Sequence, residues 1–189
     1  MTAYFMTEEY QCIEELNQSF KKVLTNPPRR VDTTTKLALL AGNKLKDHCS
    51  EKANIVLLSE KLSLSVMSDL INDNYHTHQQ PMPMTFINSI GNAACFYLAQ
   101  LLKTNSSCQF FALSDSFTQL VNLNVQLLDN ESIVFGFLFE KQLASSWLVI
   151  NKPSLMQKEN VIRLNYDALD CSQSSINKIL NEMKNSFNS

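Results

Sequence analysis

The fold prediction starts from one segment, TFINSIGNAACFYLAQLLKTNSSCQFFAL, which spans Thr85–Leu113. Its first part, Thr85–Lys103, is rich in small and apolar residues and predicts a long helix that is apolar on several sides. Its last part, Cys108–Leu113, is a short apolar run with two adjacent phenylalanines and predicts a strand. A helix that leads directly into a strand favours an α/β layered domain.

The same alternation of helices and strands extends along the chain in both directions. Apolar runs at Ala53–Ser59, Ser132–Phe139 and Ser146–Asn151 predict buried strands. Apolar residues recur at helical spacing over Thr7–Leu24, and Asp32 is expected to cap a second helix, which buries Leu37, Leu40, Ala41 and Leu45. Further helices are predicted at Leu62–Asn72, Ser114–Leu127 and Ser174–Phe187, a strand at Val161–Asn165, and a loop at Asn74–Pro83.

The chain is expected to form one domain over residues 1–189. It contains no internal repeat, no low-complexity tract and no linker long enough to divide it. A chain of this size buries roughly 70% of its unfolded surface, so its core needs no disulfide or metal for support.

Charge and hydropathy exclude two classes of partner. The 16 Lys and Arg against 18 Asp and Glu give a net charge of −2, and the arginines are Arg29, Arg30 and Arg163. Nucleic-acid binding needs a basic stripe that this composition lacks. No apolar run approaches the length of a membrane span, and Met1–Glu9 does not resemble a signal peptide. We therefore expect a cytoplasmic protein without a membrane span.

Scarcity of glycine excludes several kinds of cofactor site. The chain has three glycines, Gly42, Gly91 and Gly136, where average usage would give roughly 13. A Walker loop, a GxGxxG turn and a GxSxG elbow all need glycine at fixed positions, and none is present. No cofactor is predicted.

The cysteines do not form a metal site in the sequence. Cys12, Cys49, Cys95, Cys108 and Cys171 are scattered and lack CxxC or Cys/His spacing, so they are expected to be reduced. The pair His76-x-His78 offers two ligands in one loop, which are too few to bind a metal. No metal is predicted.

An enzymatic alternative uses a cysteine nucleophile. Cys95 or Cys108 would be the nucleophile and His76 or His78 the base of a small stand-alone acyl-processing enzyme. Against it, both cysteines lie in apolar segments, where a free cysteine usually behaves as a small hydrophobic side chain.

The arginine pair Arg29-Arg30, which follows two prolines, allows two interpretations. A guanidinium binds phosphate with two parallel hydrogen bonds, so the pair could contact the phosphate of a phosphopantetheine carrier. The simpler interpretation is an exposed pair.

Three segments between Pro81 and Gly136 carry a resemblance to a known family: PMPMTFINSIGNAACFYLAQ, then SSCQFFALSDSFTQLVNLNVQLL, then SIVFGF. They resemble the middle of the N-terminal half of β-ketoacyl synthases, and the likeness extends over Pro28–Asn151. It implies one half of a thiolase-like fold, a mixed sheet flanked by helices. Ala53–Ser59, Cys108–Leu113 and Ser132–Phe139 are then expected in the same sheet.

The resemblance also implies a subunit without catalysis. The family's condensing cysteine begins the helix after the strand, and this chain has Ser114 or Asp115 there. The family's two catalytic histidines lie in a C-terminal half for which 189 residues leave no room. Such a chain looks like the chain-length factor of type II polyketide systems, and most like the small factors of aryl polyene pathways.

The implied role is that of a partner subunit. A full-length ketosynthase would form a heterodimer with the chain, which would stabilise it and help to shape its acyl tunnel, and an acyl carrier protein would be met only indirectly. A general scaffold protein is the third hypothesis. The residues expected at the interface or tunnel wall are Phe86, Asn88, Asn92, Cys95, Phe96, Ala99, Phe110, Phe111 and Leu113.

Overall fold

A five-stranded mixed sheet organises the part of the chain that the structure describes. The computed structural model describes residues 2–29, 31–59, 68, 70–72, 75, 92–112, 132–151 and 173–188. The strands are β1 (Thr2–Glu9), β2 (Ala53–Ser59), β3 (Cys108–Ala112), β4 (Ser132–Phe139) and β5 (Ala144–Asn151). The helices are α1 (Ile13–Val23), α2 (Thr33–Leu45), a short 3₁₀ helix (Lys46–His48), α3 (Asn92–Leu102) and α4 (Gln173–Asn188).

The strands follow the order β1-β5-β4-β2-β3 across the sheet. Strand β2 pairs in parallel with both β3 and β4, whereas β5 is antiparallel to both β4 and β1. The three runs predicted to share a mixed sheet therefore do so, and the predicted fold class is confirmed. Strand β3 is described as far as Ala112, so the predicted end at Leu113 lies outside the described residues.

The sheet is covered on both faces. Along β2, Ile55 and Leu57 pack with α1, α2 and α3 on one face, while Val56 and Leu58 join the cluster on the other face. The second cluster includes Ile176, Ile179 and Leu180 of α4. Alternating side chains thus serve two cores, which is why β2 and β4 are continuous apolar runs in the sequence.

The predicted helix over Thr7–Leu24 is wrong in its first part. Residues Thr2–Glu9 form strand β1, and the helix begins only at Ile13. The physical reason is the pairing of β1 with the buried strand β5, from Thr2↔Asn151 to Glu9↔Ala144. This long-range pairing satisfies the backbone of the segment, and local helical spacing cannot reveal it.

Helix α2 begins as predicted. The side chain of Asp32 accepts a hydrogen bond from the backbone N–H of Thr35 at 2.8 Å, which satisfies one of the free donors of the first turn. The four residues expected to face inward, Leu37, Leu40, Ala41 and Leu45, are all buried. The end of the chain also agrees, since α4 covers the predicted helix at Ser174–Phe187.

Several predictions fall outside the described residues. These are His76, His78, the first part of the Thr85–Lys103 helix, the helix after Ser114, the strand at Val161–Asn165, Cys171 and most of Leu62–Asn72. Within the described ranges, no helix is long and apolar enough to cross a membrane. The same ranges contain no group of three or more His, Cys, Asp or Glu side chains that could hold a metal ion.

Candidate partner interface at the α3–β3 edge

Strand β3 lies at one edge of the described sheet. It pairs with β2 from Ile55↔Cys108 to Ser59↔Ala112, and no other strand of the described part of the chain lies on its far side. Gln109 and Ala112 are exposed, and the residues between them are half-buried. Strand β4, on the other side of β2, is buried along its whole length. The outer side of β3 therefore presents backbone donors and acceptors that a further strand could use.

The turn before β3 is fixed by polar contacts to β2. The Thr104 hydroxyl donates to the carbonyl oxygen of Ala53 at 2.7 Å. The side-chain oxygen of Asn54 accepts from both the backbone N–H of Ser107, at 3.2 Å, and its hydroxyl, at 2.9 Å. These contacts hold the start of β3 in register with β2, so the edge has a defined position.

The two phenylalanines of β3 point to opposite faces of the sheet. Phe110 packs against the cluster that α1, α2 and α3 cover, and Phe111 packs against the cluster on the α4 side. Both are half-buried, which leaves part of each ring at the edge.

Helix α3 carries an exposed aromatic side chain. Ala93, Ala94, Cys95 and Leu98 are buried, whereas Phe96 is 59% exposed. Its ring meets that of Tyr97 edge-on, with ring centroids 5.5 Å apart. A single exposed apolar side chain is ordinary on a protein surface, and it indicates a contact site only as part of a larger apolar patch.

Cys95 connects the helix to the edge strand. Its thiol donates to the carbonyl oxygen of Gln109 at 3.3 Å. The side-chain hydrogen bond with Cys108, together with burial, raises the pKa of the Cys95 thiol far above its usual range. A thiol that stays protonated is a poor nucleophile, so the surroundings of Cys95 are those of a structural cysteine.

The predicted site residues divide into two groups. Asn92, Cys95, Phe96 and Ala99 lie on α3, and Phe110 and Phe111 lie on β3. The helix and the strand are in contact through Cys95 and Gln109. Phe86, Asn88, Leu113, Ser114 and Asp115 lie outside the described residues.

Sequence reasoning missed a groove beside the same helix. It has a volume of about 260 Å³, and its lining includes Leu24, Pro28, Leu39, Tyr97 and Leu101. The available signal was that Thr85–Lys103 is apolar on several sides. The sequence alone could not tell which of these sides face the core and which face the surface.

Comparison with known proteins bears on the fold. The chain matches no protein-family model and no curated protein. It is similar to a chain in the solved structure of a ketosynthase (ApeO) in complex with its chain length factor (ApeC) from Xenorhabdus doucetiae, with a TM-score of 0.57 and 16% identity. The chain has a ketosynthase-like fold.

The match extends over most of both molecules. It covers 82% of this chain and 81% of the other, so the two chains are of similar length. At this level of identity the likeness concerns the ketosynthase-like fold itself, and it agrees with the mixed sheet and flanking helices described above.

Proposed function

We propose that this chain is a non-catalytic, chain-length-factor-like subunit that forms a heterodimer with a full-length ketosynthase in the cytoplasm. It would stabilise the ketosynthase and help to shape the acyl tunnel in polyketide or aryl polyene biosynthesis. The observation that carries the proposal is the position of β3 at an edge of the described sheet, next to the helix that carries the exposed Phe96, in a fold similar to that of a chain in a ketosynthase–chain length factor complex.

The physics of the edge supports a partner. Among the described strands, none covers the outer side of β3, and an edge strand with two phenylalanines favours pairing with other chains unless something covers it. Obligate interfaces are large and apolar, and aromatic anchors near their centre contribute most of the binding free energy. Phe96 and the partly exposed ring of Phe110 have the character of such anchors.

The cysteines support a role without condensation chemistry. The thiol of Cys95 is buried and its raised pKa keeps it protonated. The resemblance to β-ketoacyl synthases puts Ser114 or Asp115 at the family's nucleophile position, and neither side chain can supply a thiolate. An acyl carrier protein would then be recognised by the ketosynthase and contact this subunit only indirectly.

Co-expression with a full-length ketosynthase tests the proposal. We expect the two chains to co-purify in a stable, stoichiometric complex. Phe96→Ala should weaken the complex about thirtyfold, since truncation of a central aromatic anchor typically costs about 2 kcal/mol. Phe110→Ala should act in the same direction, and thermal unfolding of each variant would separate lost binding from lost folding.

Ile13→Ala is the matched control, because Ile13 is also an exposed large apolar residue but lies on α1. It should leave the complex unchanged. The proposal would be contradicted if the chain were a soluble monomer that does not bind the ketosynthase, and if both phenylalanine variants gave the same result as the wild type. In that case a thioesterase-like activity abolished by Cys108→Ala would favour the stand-alone enzyme.

A further inference from the structure

A cationic cavity lies between α1 and the start of α2, in a part of the chain that the proposed interface does not use. Its volume is about 320 Å³. Phe20, Pro27, Pro28 and Val31 supply its apolar walls, and Lys21, Arg29 and Lys36 bring three positive charges to the same space.

One of the three cations is held in a fixed position. The ammonium group of Lys36 donates a hydrogen bond to the side-chain oxygen of Asn17, which also lines the cavity, at 2.8 Å. Burial lowers the pKa of Lys36, the charge of Asp32 opposes this shift, and the charge of Lys21 adds to it. Lys36 is therefore a partly desolvated cation that faces a like charge, and an anion in the cavity would relieve both penalties.

The other two cations have no fixed counter-charge in the described part of the chain. Lys21 and Arg29 are exposed, and no described carboxylate forms an ion pair with either side chain. Asp32, the acid whose charge acts on Lys36, does not line the cavity. The cavity thus has more positive than negative charge.

The apolar walls restrict the kind of anion that fits. Pro27 and Pro28 have fixed φ angles and form a rigid wall, and Phe20 presents a flat aromatic surface that is itself almost fully buried. A bare inorganic ion would leave these surfaces in contact with water. The walls favour an anion attached to a carbon body.

We propose that this cavity binds a phosphate monoester, with Lys21, Arg29 and Lys36 around the phosphate and its organic group against Phe20 and the two prolines. A phosphate monoester carries about −1.5 to −2 charges near neutral pH, which matches three cations better than a single carboxylate does. The guanidinium of Arg29 suits the tetrahedral oxygens, since it donates two parallel hydrogen bonds. This site is independent of the proposed subunit role.

Phenyl phosphate is a suitable probe, with phenol and inorganic phosphate as its two halves. Isothermal titration of the full chain, or of its complex with a ketosynthase, should show phenyl phosphate binding at least about tenfold more tightly than either half. The affinity should fall as salt rises, because screening weakens the attraction of the exposed cations.

The double variant Lys21→Gln/Arg29→Gln should bind phenyl phosphate at least about a hundredfold more weakly, since each of the two charged hydrogen bonds contributes roughly 1.5 kcal/mol or more. Both residues are exposed, so the variant is expected to fold, and a thermal unfolding curve checks this. Lys22→Gln is the matched control: Lys22 is the next residue on α1, is exposed and does not line the cavity. It should bind as wild type does.

Three results would overturn the proposal. These are absence of phenyl phosphate binding at millimolar concentration, equal affinity for phenol and phenyl phosphate, and equal affinity in the folded double variant and the wild type. Loss of complex formation with a ketosynthase would leave the phosphate result unaffected, so the two proposals fail separately.

Discussion

At the scale of single residues, Gly136 shows how one missing side chain determines the packing of the sheet. Gly136 pairs with Trp147 across β4 and β5, and Trp147 is fully buried. A Cβ atom at position 136 would collide with the Trp147 indole and would lie 2.7 Å from Cδ2 of Leu57. The glycine is therefore needed for close approach, since the indole occupies the space of a side chain.

Gly136→Ala should lower the free energy of unfolding by about 1–3 kcal/mol, the usual cost of overpacking a core. Urea unfolding would measure it. Trp147→Phe provides the control, because the smaller ring frees space: the alanine substitution should cost less in the Trp147→Phe background than in wild type. An equal cost in both backgrounds would mean that the indole is not the obstacle.

The thiols give a second test at this scale. Cys12 is exposed, whereas Cys95 is buried and has a raised pKa. Burial also raises the pKa of Cys49 to about 12. At about pH 8 iodoacetamide should therefore modify Cys12 at least about tenfold faster than Cys49 or Cys95, because alkylation needs the thiolate.

Peptide mass spectrometry would follow the modification of each cysteine. In concentrated urea the five cysteines of the chain should react at similar rates, which controls for intrinsic reactivity. If Cys95 reacted first in the folded protein, it would have the activated thiol that the enzymatic alternative requires.

At the scale of elements, the junction of β1 with α1 and α2 contains an unusual buried carboxylate. Glu8 of β1 is buried; its Oε2 accepts a hydrogen bond from the Tyr10 hydroxyl at 2.9 Å, and its Oε1 forms an ion pair with Lys44 of α2. The backbone N–H of Tyr10 also donates to the carbonyl oxygen of Leu143 at 3.0 Å. These contacts fasten the end of β1 to the rest of the fold.

This junction predicts a dependence of stability on pH. Burial raises the pKa of Tyr10 above its usual range, and the charge and hydrogen bond of Glu8 and the charge of Glu15 act in the same direction. The unfolded chain loses this proton near pH 10, while the folded chain retains it. Stability is therefore fully present below about pH 10 and falls as pH rises beyond it.

Tyr10→Phe removes the titrating group and should reduce the loss of stability between neutral and alkaline pH. Chemical unfolding measured at several pH values would check this against wild type. An equally steep alkaline loss in the variant would show that other groups cause it.

The elements also show what the sequence could predict. Strands β2 and β4 are predicted with their observed bounds because both faces are buried, which makes them continuous apolar runs. Strand β1 was not predicted. Tyr10 lies at helical spacing from Ile13, so the predicted helix was extended toward the N-terminus over the end of the strand. The overlooked signal was alternation: Tyr4 and Met6 pack on one face, and Ala3 and Phe5 on the other.

At the scale of the whole molecule, the fold class followed from alternating elements, and its thiolase-like form from the resemblance over Pro28–Asn151. The position of β3 at an edge did not follow from local pattern, because strand order depends on pairings between distant segments. The sequence indicated only part of the cationic cavity. Arg29 stood out beside two prolines, but Lys21 and Lys36 converge on it only when α1 packs against α2.

The central claim, that a ketosynthase covers the β3 edge, is tested most directly by hydrogen–deuterium exchange. Those backbone amides of Cys108–Ala112 that point away from β2 should exchange at least about tenfold more slowly in the complex than in the chain alone, because new strand pairing protects the outer edge. Amides of β1, at the opposite edge of the described sheet, should exchange at unchanged rates. Unchanged exchange in β3, or protection at β1 instead, would contradict the account.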